Sequence, residues 1–520
     1  MTRIRSILLA VAAAAAALAA CQSTSPPSGS GAAPATAARS ENPEKQLLVL
    51  NRVTWGATTS SAREIAAAGT ERWLEQQLKP APRPALPPAV QAQIDAMTIS
   101  QQPFAELAMA VEQQRRAMVA IRDPAEQKLA RQAYQRELTR LGREAAHRSM
   151  LRALYSPNQL QEQMTWFWMN HFNVFQGKAN IRAYVGDYEE RVRAHALGRF
   201  RELLAVTSHH PAMLRYLDNA NNAANRINEN YARELMELHT LGVDAGYTQR
   251  DVQELTRILT GFGINLSGNT PRVRPEHQGD YAKNGVFEFN PNRHDYGDKL
   301  FLGQTVRGRG PGELDEALDR LARHPATAKF VSRKLAVFFV SDNPPPALVE
   351  RMAEAFRKSD GDVAAVLRAM FRSDEFIASL GRKFKDPVHY VYSAVRYAYD
   401  GKTILNAQPM MGWLFRMGQG LYLHQTPDGY ALTQDAWASP GQMTTRFEIA
   451  RTIGSGAAGL FRSEAAPAAD VPAFPQLSNA LYHASIQKTL HPQTLSALDK
   501  ATTPQEWNAF LLSSPEFMLR

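Results

Sequence analysis

The chain has 520 residues, 44% of them apolar, enough to bury a core as one large domain or two to three ordinary ones. Lysine and arginine number 59 against 50 aspartates and glutamates, a net +9 with no basic block, which argues against a nucleic-acid-binding surface. One cysteine, Cys21, excludes a disulfide within the chain.

At the N-terminus, Arg3 and Arg5 precede an alanine-rich apolar run from Ile7 to Ala20, too short for a permanent bilayer span, and Leu18-Ala19-Ala20-Cys21 follows. This resembles the bacterial lipobox, which implies a signal peptide over 1–20, cleavage before Cys21, and lipidation of that cysteine. Gln22 is not the aspartate associated with inner-membrane retention. The expected localisation is therefore the cell envelope, as an outer membrane lipoprotein facing the periplasm or exported to the surface. The membrane is then the partner held through Cys21, protein partners are unspecified, and no nucleic acid is expected. Residues 21–45 read as the lipidated cysteine and a flexible Ser/Pro/Ala linker, and 46–520 as a single large helical domain.

From Gln46, Leu47-Leu48-Val49-Leu50-Asn51-Arg52 leads into Trp55-Gly56. Ser61, with Glu64 three residues on, reads as a capping box for a helix towards Leu78. Five prolines over 80–92 form a break, and 102–154, rich in Glu, Arg, Gln and Ala, reads as a helical hairpin with its charges in water. Helix starts recur where proline follows a polar residue, as in Ser156-Pro157, His210-Pro211, His324-Pro325 and Ser514-Pro515, because proline's missing N–H costs nothing at the first helical position. Asp187, Glu189, Glu190, Arg191, Arg193 and His195 read as a solvated helical face. Val286-Phe287-Glu288-Phe289 and Leu300-Phe301-Leu302 read as strands of one hairpin over 284–306, joined by a polar loop. Helices return over 311–323, 325–340, 345–358 and 361–371, followed by Ser373-Asp374-Glu375-Phe376, which Ser514-Pro515-Glu516-Phe517 echoes. The expected fold class is mainly α, one large multi-helix domain with a short β-hairpin inserted around 284–306.

The chemistry concentrates on 228–242. Helix formers run from Tyr231 to His239, with Asn228 as a cap and Gly242 as a stop. At about 100° per residue, Asn230, Glu234 and Glu237 share one arc beside an apolar face of Tyr231, Leu235, Leu238 and Leu241, while His239 points away from Glu237. An earlier stretch places Leu160, Met164, Phe167, Trp168, His171 and Phe175 on one face, with His171 inside an apolar stripe. A buried histidine needs partners for both ring nitrogens: either a backbone carbonyl makes it structural, or Glu234 or Glu237 makes it an acid, base or ligand. The loop His294-Asp295-Tyr296-Gly297-Asp298-Lys299 adds an imidazole, two carboxylates and an ammonium beside a glycine. Neither the Glu-x-x-His pair of di-iron bundles nor His-Glu-x-x-His occurs in the 228–242 stretch. A divalent metal would have to be assembled from separate segments, with His171, Glu234, Glu237, His294 and Asp295 as candidates.

Several motifs occur in one order: Trp166-Phe167-Trp168-Met169-Asn170-His171-Phe172; Asn228 to Gly242; Tyr247-Thr248-Gln249 with Asp251-Val252; Leu259-Thr260-Gly261; and His294-Asp295 with Gly297 and Lys299. Together they resemble the bacterial domain of unknown function 1800 family, from about Leu47 to the C-terminus, and Lys383-Phe384-Lys385-Asp386-Pro387 and Thr426-Pro427-Asp428-Gly429-Tyr430 extend the likeness. The resemblance implies a large, mainly helical exported protein and carries no activity. The chain departs from the family's proline-rich approach to the Asp-Gly-Tyr segment, having Leu421-Tyr422-Leu423-His424-Gln425, so that loop is not counted as a binding element.

The expected function is a hydrolase or lyase acting on an envelope polymer or glycoconjugate. His171 would be its acid/base, Glu234 and Glu237 its partner carboxylates, and His294 with Asp295 would complete the site. Asn170, Asn230, Arg233 and Lys299 would bind the ligand. The alternative is a non-catalytic scaffold or binding lipoprotein in which the same residues form a buried polar network.

Overall fold

A computed structural model describes residues 42–462 and 474–520. The lipobox, Cys21 and most of the linker lie outside the described residues. The fold is mainly helical, as the periodicity implies, and buried apolar side chains form one principal core running from Leu47 to Met518.

The first helix, Pro43–Val53, is tied down by Arg52, which is fully buried. Its guanidinium donates to the Phe339 carbonyl at 2.5 Å, the Ser379 hydroxyl at 2.8 Å, and the Ser379 and Arg520 carbonyls at 2.6 Å each. Four acceptors from three distant segments replace the water this cation loses, so one residue joins the start of the domain to its end. The expected helix from Ser61 to Leu78 is instead two, Thr59–Ala68 and Thr70–Leu78, broken at Gly69 with φ +78°. Ser61 is the third helical residue there, sharing a capping box with Thr58. The hairpin over 102–154 is present as Phe104–Ala120 packed on Pro124–Tyr155.

Next comes Gln159–His171, in which every residue except Trp166 is buried. A helix enclosed on all sides belongs at the centre, and its polar members must find partners. Glu162 accepts from Arg193 at 2.7 Å, and Gln161 donates to the Arg193 carbonyl at 3.1 Å. The supposedly solvated face over 187–195 is thus partly internal: Glu189 and Arg193 are buried because this helix packs on Val185–Ala194.

The strand stretches around 284–306 are both β, with different partners. β3 (Phe287–Phe289) sits between β1 (Phe262–Ile264) and β2 (Ala282–Asn284) in an antiparallel sheet, with Phe262 opposite Phe289. The short hairpin is β4 (Lys299–Phe301) with β5 (Gln304–Val306), turning at Leu302-Gly303. Non-local pairing of β3 with β1 leaves no trace in local spacing, and it moves the 290–298 loop to the junction of the two sheets.

The helices that follow, Gly312–Arg323, Pro325–Phe339, Pro346–Lys358 and Val363–Phe371, match the expected bounds within two residues. His210 and His324 cap their helices through Nδ1, and Ser373 and Ser514 accept the amides of Phe376 and Phe517 at 3.2 Å each. Among the described residues no helix is long and apolar enough to cross a membrane.

Candidate active site

His171 ends the central helix and is only 2% exposed. Its Nε2 lies 3.0 Å from the His239 carbonyl, and its Nδ1 has no partner among the described residues. Phe172, Trp168 and Phe330 surround the ring with centroids 4.5, 5.4 and 6.2 Å away. Burial above all, then Lys334 and His239, pushes its pKa well below the ordinary value, so the ring is neutral. This is the core histidine bonded to a backbone carbonyl; neither Glu234 nor Glu237 is its hydrogen-bond partner.

The motif helix is shorter than its pattern, Asn230–Glu237. Asn228 accepts the Asn230 amide at 3.0 Å, and Gly242 adopts φ +85° at the far end. Between Glu237 and Gly242 the chain leaves α geometry: the His239 and Leu241 amides reach back five residues, to the Glu234 carbonyl at 3.1 Å and the Met236 carbonyl at 2.8 Å. Regular 100° spacing therefore no longer governs His239. It is 1% exposed, with its ring centroid 6.0 Å from that of His171. Burial, reinforced by Lys334, lowers its pKa to about 3.

Around this pair lie groups from three further segments. Phe330 and Lys334, one turn apart on Pro325–Phe339, share a face, and the Lys334 amine sits 5.6 Å from the Phe330 ring centroid. Burial lowers that amine to about 8, with Asp428 pulling the other way. The 420–430 loop is fastened to the end of the central helix. Asn170 donates to the Tyr430 carbonyl at 2.9 Å and accepts its amide at 2.7 Å. Asn173 donates to the His424 and Thr426 carbonyls at 3.1 and 2.8 Å, and the Tyr216 hydroxyl to the Gln425 carbonyl at 2.8 Å. Asn170 thus fastens this loop to the end of the central helix.

The fastened loop presents a polar triad. Asp428 Oδ1 lies 3.1 Å from His424 Nε2 and accepts the Thr426 hydroxyl at 2.6 Å. Burial opposes its ionisation, but Thr426 and His424 together hold its pKa below the usual carboxylate range. Glu234, half-buried, moves the other way: burial first, then the charges of Glu237 and Asp428, raise its pKa against a smaller opposing effect of Arg233. No cation lies within ion-pairing distance of Glu234 among the described residues. Glu237 pairs with Arg233 at 3.4 Å, and Arg233 also meets Glu229 at 3.2 Å and Gln249 at 2.9 Å. Asn230 donates to the Leu217 carbonyl at 3.2 Å, closing the preceding loop.

His294, Asp295 and Lys299 do not join this cluster. His294 Nε2 lies 3.0 Å from Glu313 and its Nδ1 lies 2.7 Å from the Thr260 carbonyl, while Lys299 pairs with the same Glu313 at 2.5 Å. All three side chains of the His294–Glu313–Lys299 network are fully enclosed. Asp295 faces outward from it and grips Arg257 at 2.7 and 3.1 Å, which holds its pKa low. With both nitrogens of His294 engaged and Asp295 locked to Arg257, the set His171, Glu234, Glu237, His294 and Asp295 does not converge. Among the described residues no three His, Cys, Asp or Glu side chains are placed to hold a metal ion.

Lys334, His239, Asp428, His424 and Glu313 were not expected from sequence. For Lys334 the only local signal is a lysine one turn after Phe330. Asp428 lies in the Thr426-Pro427-Asp428-Gly429-Tyr430 motif, behind an approach that departs from the family's proline-rich one. Glu313 looks like any acidic residue in the first turn of a helix. Among known proteins, the family described as "Protein of unknown function (DUF1800)" matches residues 48–519. No curated protein matches the chain, and no solved structure does.

Proposed function

The chain belongs to the DUF1800 family, whose description assigns no activity, and from that premise we propose an envelope-anchored lipoprotein enzyme, a hydrolase or lyase acting on an envelope polymer or glycoconjugate. One observation supports it above the rest: two carboxyl groups within electrostatic reach of each other, Glu234 and Asp428, are pushed in opposite directions by their surroundings. That separation favours the protonated form of Glu234 and the ionised form of Asp428. Glu234 protonates the leaving oxygen as the C–O bond breaks. Asp428, oriented by His424 and Thr426, takes the proton from water in hydrolysis or from carbon in elimination. Lys334 stabilises negative charge on the substrate, and His171 and His239 form the apolar floor beneath.

Incubating the full-length protein with isolated envelope glycans and measuring new reducing or unsaturated ends tests this. Glu234→Gln and Asp428→Asn should each lower the rate at least about a hundredfold with the melting temperature unchanged. Activity should fall as pH rises through the elevated pKa of Glu234, where the proton donor is lost. Wild-type activity indifferent to both substitutions would sink the assignment.

The scaffold reading keeps one specific support. His171 and His294, the two imidazoles singled out by the sequence, are spent on buried structural hydrogen bonds. It is favoured if the wild-type protein leaves every glycan untouched and instead retains a ligand that Glu234→Gln and Asp428→Asn still bind. The anchor is testable separately: Cys21→Ser should move the protein from the membrane fraction to the soluble envelope fraction and abolish labelling by a fatty-acid probe. Retention of both would exclude a lipid on Cys21.

A further inference from the structure

A cavity of about 300 Å³ lies elsewhere, between the Pro43–Val53 helix, the 380–385 segment and the C-terminal residues 511–520. Its walls combine aliphatic and aromatic side chains, among them Leu47, Leu48, Leu490 and Phe517, with the cations Lys385 and Arg520. Lys385 is 2% exposed, and its amine rests 4.0 Å from the Phe517 ring centroid with no hydrogen-bond or ion-pair partner among the described residues. Arg520, also 2% exposed, spends Nη2 on the Phe338 carbonyl at 2.7 Å, but its buried Nε and Nη1 have no partner among the described residues.

The nearby carboxylates are already engaged. Glu516 accepts the His491 amide at 2.7 Å and the Thr494 hydroxyl at 3.0 Å. Asp386 caps its helix through the His389 amide at 2.9 Å and also meets the His389 ring at 2.9 Å. Burial, then repulsion from Arg446 and Arg520, lowers the Lys385 amine to about 7. An amine that lines a largely apolar cavity with no acceptor loses its charge to burial, and an anion entering beside it is the group that would restore that charge.

We propose that this cavity binds a small amphipathic anion, an aliphatic carboxylate whose head meets the Lys385 amine, with the Arg520 charge behind it, and whose chain lies along Leu47, Leu48 and Phe517. A carboxylate accepts the charge-assisted hydrogen bonds that an ammonium donates. The apolar walls disfavour a strongly hydrated phosphate dianion, and the volume suits a chain of about eight carbons.

Calorimetric titration of the full-length protein with octanoate and with neutral octanol tests this site independently of the Glu234–Asp428 reading. Wild-type protein should bind one octanoate, at least about tenfold tighter than octanol. Lys385→Met should erase that preference, whereas Lys385→Arg should keep it. Leu48→Trp, which fills the cavity from the first helix, should abolish binding and covers the case in which Lys385→Met fails to fold. Absence of octanoate binding, equal affinity for octanol, or unchanged octanoate affinity in Leu48→Trp or in a folded Lys385→Met would overturn the proposal.

Discussion

Glu313 shows at the scale of one residue how a polar group becomes structural. It is fully enclosed and serves His294, Lys299 and the amides of Arg309 and Gly310, so each of its oxygens is used. Burial alone would raise its pKa, but His294 and then Lys299 reverse this and hold it below the ordinary glutamate range. A depressed folded-state pKa stabilises the fold above the ordinary value of about 4.3, and that contribution is lost as pH falls through the lower folded value. Glu313→Ala leaves a buried ammonium and an imidazole without their acceptor and should cost about 3–5 kcal/mol, read from the urea midpoint at pH 7. A loss below about 1 kcal/mol would mean that the network is hydrated and open. Glu234 is the contrasting case, with a raised pKa and no cation within ion-pairing distance among the described residues.

At the scale of the element, the 420–430 loop decides whether Asp428 reaches the candidate site at all. Gly429 holds φ +77°, and a Cβ added there would stand 2.1 Å from the Asn170 carbonyl oxygen. Gly429→Ala should therefore release the loop from the central helix, and the glycan-cleaving rate should fall about as far as in Asp428→Asn. Asn170→Ala, which removes both side-chain bonds to Tyr430, should act in the same direction with a smaller loss. A Gly429→Ala protein with full activity would show that the loop does not carry the site. The strands teach the complementary lesson. Alternation identified β3 and β4 as extended, but pairing of β3 with β1 depends on residues some 25 positions away in sequence, beyond any local pattern.

At the scale of the whole molecule, buried histidines link the fold to acidity. His239 and His389 have folded-state pKa values of about 3 and about 4, both set first by burial, against an ordinary value of about 6.5. The unfolded chain binds protons that the folded chain refuses, so stability falls as pH drops below about 6.5 and keeps falling to about 4 for His389 and about 3 for His239. Two such groups contribute about 2.7 kcal/mol per pH unit in that window. The His171 ring is depressed for the same reason, so urea midpoints at pH 7, 6 and 5 should decline at least that steeply, and His239→Asn should remove about 1.4 kcal/mol per pH unit of the slope. A flat profile would show that these rings are protonated in the fold.

Helix positions, most caps, the apolar stripe that holds His171 and the family were legible in sequence, because helical periodicity, cap chemistry and motif order are local properties of the chain. The resemblance of Leu18-Ala19-Ala20-Cys21 to a lipobox is equally local, and its test lies in the membrane rather than the fold. Tertiary structure alone decided which polar groups are enclosed. His171 turns to the His239 carbonyl, His294 to Glu313, and Asp428 arrives on a loop more than 250 residues from the helix that holds it. Whether a carboxyl group is a brace or an acid depends on what surrounds it in space, and those neighbours come from every part of the chain.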